Sequence, residues 1–119
     1  MILIVEDNDT MRELLKTFLQ SDGHNVISAH DGAEAVELYK TEGKKIELVI
    51  TDIEMPNLNG VEAYRQIKKM NPEAKVIFVS GVLNTQLEEQ LQREGIQGFL
   101  RKPYAPTDML AKVREILGE

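Results

Sequence analysis

Residues 48–60 read LVITDIEMPNLNG. An apolar run passes through Thr51 into Asp52, and Glu54, Pro56 and Gly60 follow. A short run of this kind, apolar on both faces, reads as a buried parallel strand. Gly or Asn is enough to stop a strand. This one ends on a carboxylate and enters a loop punctuated by Pro and Gly. Asn59-Gly60 is a hairpin dipeptide in other settings, but here it stands well past the strand and opens a helix.

Working outward, the run IELVIT (46–51) has four counterparts: ILIV (2–5), NVISA (25–29), AKVIFV (74–79) and QGFL (97–100). Helical patterns lie between them. Met11, Leu14, Leu15, Phe18 and Leu19 recur at helical spacing, with Gly23 as a stop. Asp31 is placed to cap a second helix carrying Ala35, Val36 and Tyr39, which Gly43 ends. A third holds Ala63, Tyr64, Ile67 and Met70 and stops before Asn71-Pro72. A fourth has a thin stripe of Leu83, Leu87 and Leu91, with Gly95 behind it. The fifth opens at Pro106, a favoured first helical residue, after the weak cap Ala105, and carries Leu110, Val113 and Leu117. Alternating β and α elements predict an α/β fold, a doubly wound five-stranded parallel sheet with helices on both faces. There is no repeat, low-complexity tract or linker, so one domain over 1–119 is expected.

Bulk properties narrow the function. The 119 residues suffice for a core. A net charge of −6 argues against a nucleic-acid footprint and against an anionic membrane surface. There is no cysteine, hence no disulfide and no thiolate metal site. The opening MILIV is cut by Glu6-Asp7 after five residues, too short for a signal-peptide core, and no window approaches the ~20 apolar residues of a membrane span. A cytoplasmic address is the simplest expectation.

In a doubly wound sheet the site lies outside the carboxyl ends of the strands, where the strand order reverses. The first strand ends in Glu6-Asp7, the third in Asp52, the fourth in Ser80-Gly81, and the fifth leads to Lys102-Pro103. Three carboxylates would repel one another, and a single lysine does not balance them, so they protonate or hold a cation. Oxygen ligands favour a hard ion such as Mg2+, Ca2+ or Mn2+. Mg2+ commonly joins one or two carboxylates to a phosphate, which points to phosphoryl chemistry with an aspartate as nucleophile.

This pattern resembles the receiver domain of two-component response regulators, the CheY-like (flavodoxin-like) family. The resemblance covers essentially the whole chain. Its specific parts are the run from Asp52 through Met55 and Pro56 to Gly60, and Lys102-Pro103 after the fifth strand. It implies the sheet order 2-1-3-4-5. It also implies that Asp52 is the phosphoacceptor and a metal ligand, that Asp7 binds Mg2+ (or Mn2+) directly, that Glu6 acts through a coordinated water, and that the Glu54 carbonyl is a further ligand. Ser80 and Lys102 would contact the phosphoryl group, and the Lys102–Pro103 peptide would be cis. Phe99 would be the switch aromatic, turning inward as Ser80 moves. Val82 flanks the crevice and would affect water access.

The implied function is a signalling switch. It takes a phosphoryl group from a sensor histidine kinase or histidine phosphotransfer protein, reshapes the helix 4–strand 5–helix 5 face, and is reset by hydrolysis. It would catalyse its own modification without being a conventional turnover enzyme. Met11, Leu14, Leu15 and Tyr104 are candidates for kinase recognition. The reshaped face would act on an output domain or protein, or form a dimer. Each residue also has a plain reading. Glu6 and Asp7 could mark a turn and cap the first helix, though Asp9 and Thr10 can do that job too; Ser80 could be a turn residue, Lys102 a solvated lysine, Phe99 core. His24 and His30 read as surface residues. Three other functions stay open: a pseudo-receiver that never uses phosphate, a metal-dependent aspartyl phosphatase, and the receiver piece of a DNA-binding regulator. Against the phosphatase, its nucleophile follows the first strand, and no further general acid is evident here.

Overall fold

The fold was analysed in a computed structural model that describes residues 1–53, 59–81 and 85–118. Glu54, Met55, Pro56, Val82 and Leu83, all singled out above, lie outside the described residues. The elements run β1 (Ile2–Val5), α1 (Asp9–Ser21), β2 (Val26–Ala29), α2 (Gly32–Glu42), a 3-10 turn (Gly43–Lys45), β3 (Leu48–Asp52), α3 (Gly60–Met70), β4 (Val76–Ser80), α4 (Thr85–Arg93), β5 (Gly98–Arg101) and α5 (Pro106–Leu117). The sheet is parallel throughout, in the order β2-β1-β3-β4-β5. The order reverses between β1 and β3, so a crevice opens where Glu6-Asp7 and Asp52 emerge.

The strands read as apolar on both faces because both faces are covered. Leu3, Val5, Val49, Val76 and Phe78 pack one way with Tyr39 of α2, Tyr64 and Ile67 of α3, and Leu91 of α4. Their neighbours Ile2, Ile4, Leu48, Ile50, Ile77 and Val79 pack the other way with Leu15 and Leu19 of α1 and Met109 and Val113 of α5. Each fully buried aliphatic side chain contributes roughly 1.5–3 kcal/mol. The central strands β1, β3 and β4 are therefore the rigid platform, and side chains at their ends inherit that rigidity.

Local chemistry fixes the helix starts. Asn8, not Asp9 or Thr10, caps α1: its Oδ1 accepts from Met11 N at 2.9 Å. Asp31 caps α2 through Glu34 N at 2.8 Å, and Asn59 caps α3 through Glu62 N at 2.9 Å. At α5 the cap residue Ala105 offers no side chain, and Asp108 Oδ2 accepts from Ala105 N instead, at 3.1 Å. Gly23 and Gly95, each at φ +93, close α1 and α4 in the left-handed region.

His24 corrects its surface reading. Its side chain is only 9% exposed and Nε2 lies 3.7 Å from Asp22 Oδ2. Asp22 in turn accepts from the Arg114 guanidinium, tying the end of α1 to α5. Among the described residues no helix is long and apolar enough to cross a membrane.

Candidate functional site

Asp52 is the last residue of β3, as the sequence reading has it. The ladder to β4 continues to Asp52 opposite Val79, and Ile53 N still donates to Val79 O at 3.0 Å. The carboxylate is therefore held at a strand end and is 4% exposed. Glu6, directly after β1, is also 4% exposed. Glu6, Asp7 and Asp52 each place an oxygen within 4.8 Å of the others, and Asp7 is the exposed member. Lys102 enters from the far side. Its Nζ donates to Asp52 Oδ2 and stands 3.8 Å from Glu6 Oε1.

The β5–α5 loop is pinned for this purpose. Lys102 N donates to Ser80 O at 2.8 Å, which draws the ends of β4 and β5 together. The Lys102–Pro103 peptide is cis. Ser80, the last residue of β4, is 5% exposed. Phe99 lies opposite Phe78 in the ladder with ring centroids 5.9 Å apart, and Phe78 meets Tyr64 edge-on at 5.4 Å. A cavity of about 230 Å³ lies among Ser80, Phe99, Leu100, Arg101 and Glu88. An Arg101–Glu88 ion pair at 2.6 Å bridges β5 and α4 beside it. The site hydroxyl and the aromatic thus border one void.

Charge in the crevice is unbalanced. Burial, the largest influence, raises the Glu6 pKa; the Asn8 N–H and Lys102 oppose it, while Asp7 and Asp52 reinforce it, and the net direction is upward. Burial pulls Lys102 down, but its hydrogen bond with Asp52 and the charges of Asp52 and Glu6 outweigh that, and it ends above its ordinary value. Tyr104, next in the loop, is pushed up to about 12, by burial first and then by Glu6. A crevice that resists a further negative charge suits a small divalent cation. Three hard oxygens with open space on the Asp7 side match the donor set Mg2+ takes.

A pH dependence follows. Glu6 holds its proton more tightly folded than unfolded. Its contribution to stability is therefore present at low pH and is lost as pH rises from 4.5 through the raised value. A cation must displace that proton, so its affinity is expected to climb as pH rises above 4.5. Calorimetric titration with Mg2+ across that range checks this. Glu6→Gln should flatten the profile, and a flat native profile would contradict it.

Two interactions escaped the sequence reading. Asn8 N donates to Glu6 Oε2 at 3.1 Å, and Arg12 Nη1 donates to the Glu6 carbonyl at 2.9 Å. Glycine at 60 also has a reason the motif did not reveal. A methyl there would lie 2.1 Å from Asp52 O, so α3 starts in direct contact with the backbone of the acid-bearing strand.

Fold and crevice together define a class: a doubly wound α/β domain that gathers carboxylates, a lysine and a hydroxyl at its switch point. Comparison with known proteins places the chain within it. Residues 2–114 match the family model for the response regulator receiver domain, and the chain belongs to that family, the phosphorylation-switched receivers of two-component signalling. It is 34% identical over 116 residues to the chemotaxis protein CheY of Thermotoga maritima, covering 97% of this chain and 95% of the relative. It is also 34% identical over 116 residues to the sensor kinase CckA of Brucella abortus, covering 98% of this chain but 12% of the relative. Among solved structures, CheY in the CheX–CheY–BeF3–Mg2+ complex of Borrelia burgdorferi superposes with a TM-score of 0.92 at 32% identity, covering 98% of this chain and 87% of that one. The chain therefore spans nearly all of some relatives and about an eighth of another.

Proposed function

We propose that this chain receives a phosphoryl group on Asp52 from a phosphohistidine donor, using Mg2+, and relays the change through β5 and α4. The observation that carries the reading is the buried Asp52 carboxylate, set among Glu6, Asp7 and Lys102 at the switch point. The Borrelia burgdorferi relative in complex with BeF3 and Mg2+ supports the same chemistry here.

An Asp52 carboxylate oxygen attacks phosphorus, a P–O bond forms, and the P–N bond to the donor imidazole breaks with its electron pair returning to that ring. Lys102 transfers its hydrogen bond from the carboxylate to a phosphoryl oxygen, and the Ser80 hydroxyl donates to another. Asp52 and Asp7, with Glu6 through water and the Glu54 carbonyl, would hold Mg2+. When bound, the ion neutralises charge that builds on the phosphoryl oxygens. Water attack on phosphorus restores the carboxylate and releases phosphate. The protein thus acts on itself once per cycle. The added charge of about −1.5 to −2 draws Ser80 toward the phosphoryl group, and Phe99 turns into the vacated space beside the 230 Å³ cavity.

Donor docking falls on α1 and the β5–α5 loop. Leu14 is 51% exposed there, and Met11, Pro103 and Tyr104 line a hollow that reaches Lys102. The output is a downstream domain or protein, or a second copy, reading the α4–β5–α5 face.

Amide hydrogen exchange with and without beryllofluoride and Mg2+ tests the relay. Exchange in Gly98–Arg101 and Thr85–Arg93 is expected to change several-fold in the native chain and not in Asp52→Asn. Unchanged exchange in the native chain, with the ligand demonstrably bound, contradicts the relay.

A further inference from the structure

We infer that Arg12 is a positioning residue that presets the Glu6-Asp7 pair for cation binding; the inference rests on the function proposed above. Arg12 lies on the first turn of α1, where a long charged side chain ordinarily extends into solvent. Here the side chain is only 17% exposed and folds back over the loop that follows β1. Nη1 donates to the Glu6 carbonyl at 2.9 Å, and Nη2 donates to Asp9 Oδ1 at 2.6 Å. The guanidinium therefore bridges the residue before the loop's acid and the helix after it.

The remaining bonds close the same frame. Arg12 N donates to Asn8 O at 2.9 Å, Asn8 Oδ1 accepts from Met11 N, and Asn8 N donates to Glu6 Oε2 at 3.1 Å. Glu6 N is in turn held by Ala29 O at 3.1 Å. Glu6 and Asn8, the residues on either side of Asp7, are thus both held in place, while Asp7 itself stays exposed. The planar guanidinium suits this task because its fork reaches two acceptors at fixed angles, which an ammonium does not.

Two physical effects of removing Arg12 have opposite signs, and this makes the inference decidable. Taking a cation away from three carboxylates tightens divalent binding on Coulomb grounds alone. Taking away the brace frees the loop and weakens binding, because ordering must then be supplied on binding. Asp7 is exposed, so solvent screens the charge of Arg12 from a cation bound there, and the brace dominates.

The test is Mn2+ binding at constant ionic strength, followed by the electron paramagnetic resonance of the free ion, for the native chain, Arg12→Ala and Arg12→Lys. Arg12→Ala is expected to bind about tenfold more weakly, and Arg12→Lys, which keeps the charge but reaches one acceptor at a time, about threefold more weakly. The thermal midpoint of each variant is read by circular dichroism, and binding is compared well below it. Should Arg12→Ala not fold, Arg12→Lys decides on its own. Native or tighter affinity in the folded variants overturns the positioning role and leaves the proposed function standing. Failure of the native chain to bind Mn2+ overturns both.

Discussion

Gly60→Ala is expected to destabilise the protein by about 3 kcal/mol or more and to depress phosphoryl uptake at the same time. Helix propensity alone predicts the reverse, since alanine in place of glycine favours a helix by about 1 kcal/mol. The clash decides the sign. The new methyl would stand 2.1 Å from Asp52 O, 3.0 Å from Asp52 C and 3.1 Å from Ile53 Cα, all backbone atoms. A flexible side chain can swing aside, but the end of β3 cannot, because Asp52 is laddered opposite Val79. Either α3 or the strand end must move, and the strand end carries the acid. Urea unfolding measures the first effect and phosphoryl adduct yield the second. A variant of native stability would contradict the packing argument.

Lys102→Met is expected to act in two ways that can be separated. The first is on stability. Removing the partner of a buried carboxylate costs about 3–5 kcal/mol in a fully buried pair. Lys102 is 35% exposed and solvent screens it, so about 1–2 kcal/mol is the expected loss without Mg2+, and the cation should recover part of it. The second is on chemistry. In the proposed mechanism Lys102 is the donor to the oxygens on which charge develops, and losing such a donor costs about 10²–10³ in rate. The rate of adduct formation from a small phosphodonor at saturating Mg2+ reads this directly. A rate within twofold of native would remove Lys102 from the mechanism.

The framework was legible because apolar runs and helical periods are strong signals here. All five strands lie within two residues of the runs that announced them, and Asp31 and Pro106 open their helices where the sequence placed them. Boundaries moved where pairing decided them. β5 runs on to Arg101 because β4 offers Ser80 as a partner, and such pairing is tertiary information. Asn8 displaced Asp9 and Thr10 as the α1 cap because its oxygen, one residue earlier, reaches Met11 N.

Side-chain roles were legible only when residue type and place agreed. An acid at the end of an apolar strand is conspicuous, and so is lysine before proline. Arg12 was not, because an arginine on a helix surface ordinarily reads as solvated, and its fold back onto the Glu6 carbonyl depends on the loop's path. His24 was misread for the same reason. A histidine near a strand edge and away from the crevice reads as a surface residue, yet its side chain is only 9% exposed beside Asp22. Gly60 looked like turn punctuation, and its contact with the strand backbone is visible only in three dimensions.

The most direct test of the account is the intact mass of the native chain and of Asp52→Asn after incubation with acetyl phosphate and Mg2+. With no tryptophan in the sequence, mass is a better readout than fluorescence. The account predicts one phosphoryl adduct on the native chain, abolished by chelating the metal and absent from Asp52→Asn. An adduct of equal yield on Asp52→Asn, or one indifferent to Mg2+, would contradict it.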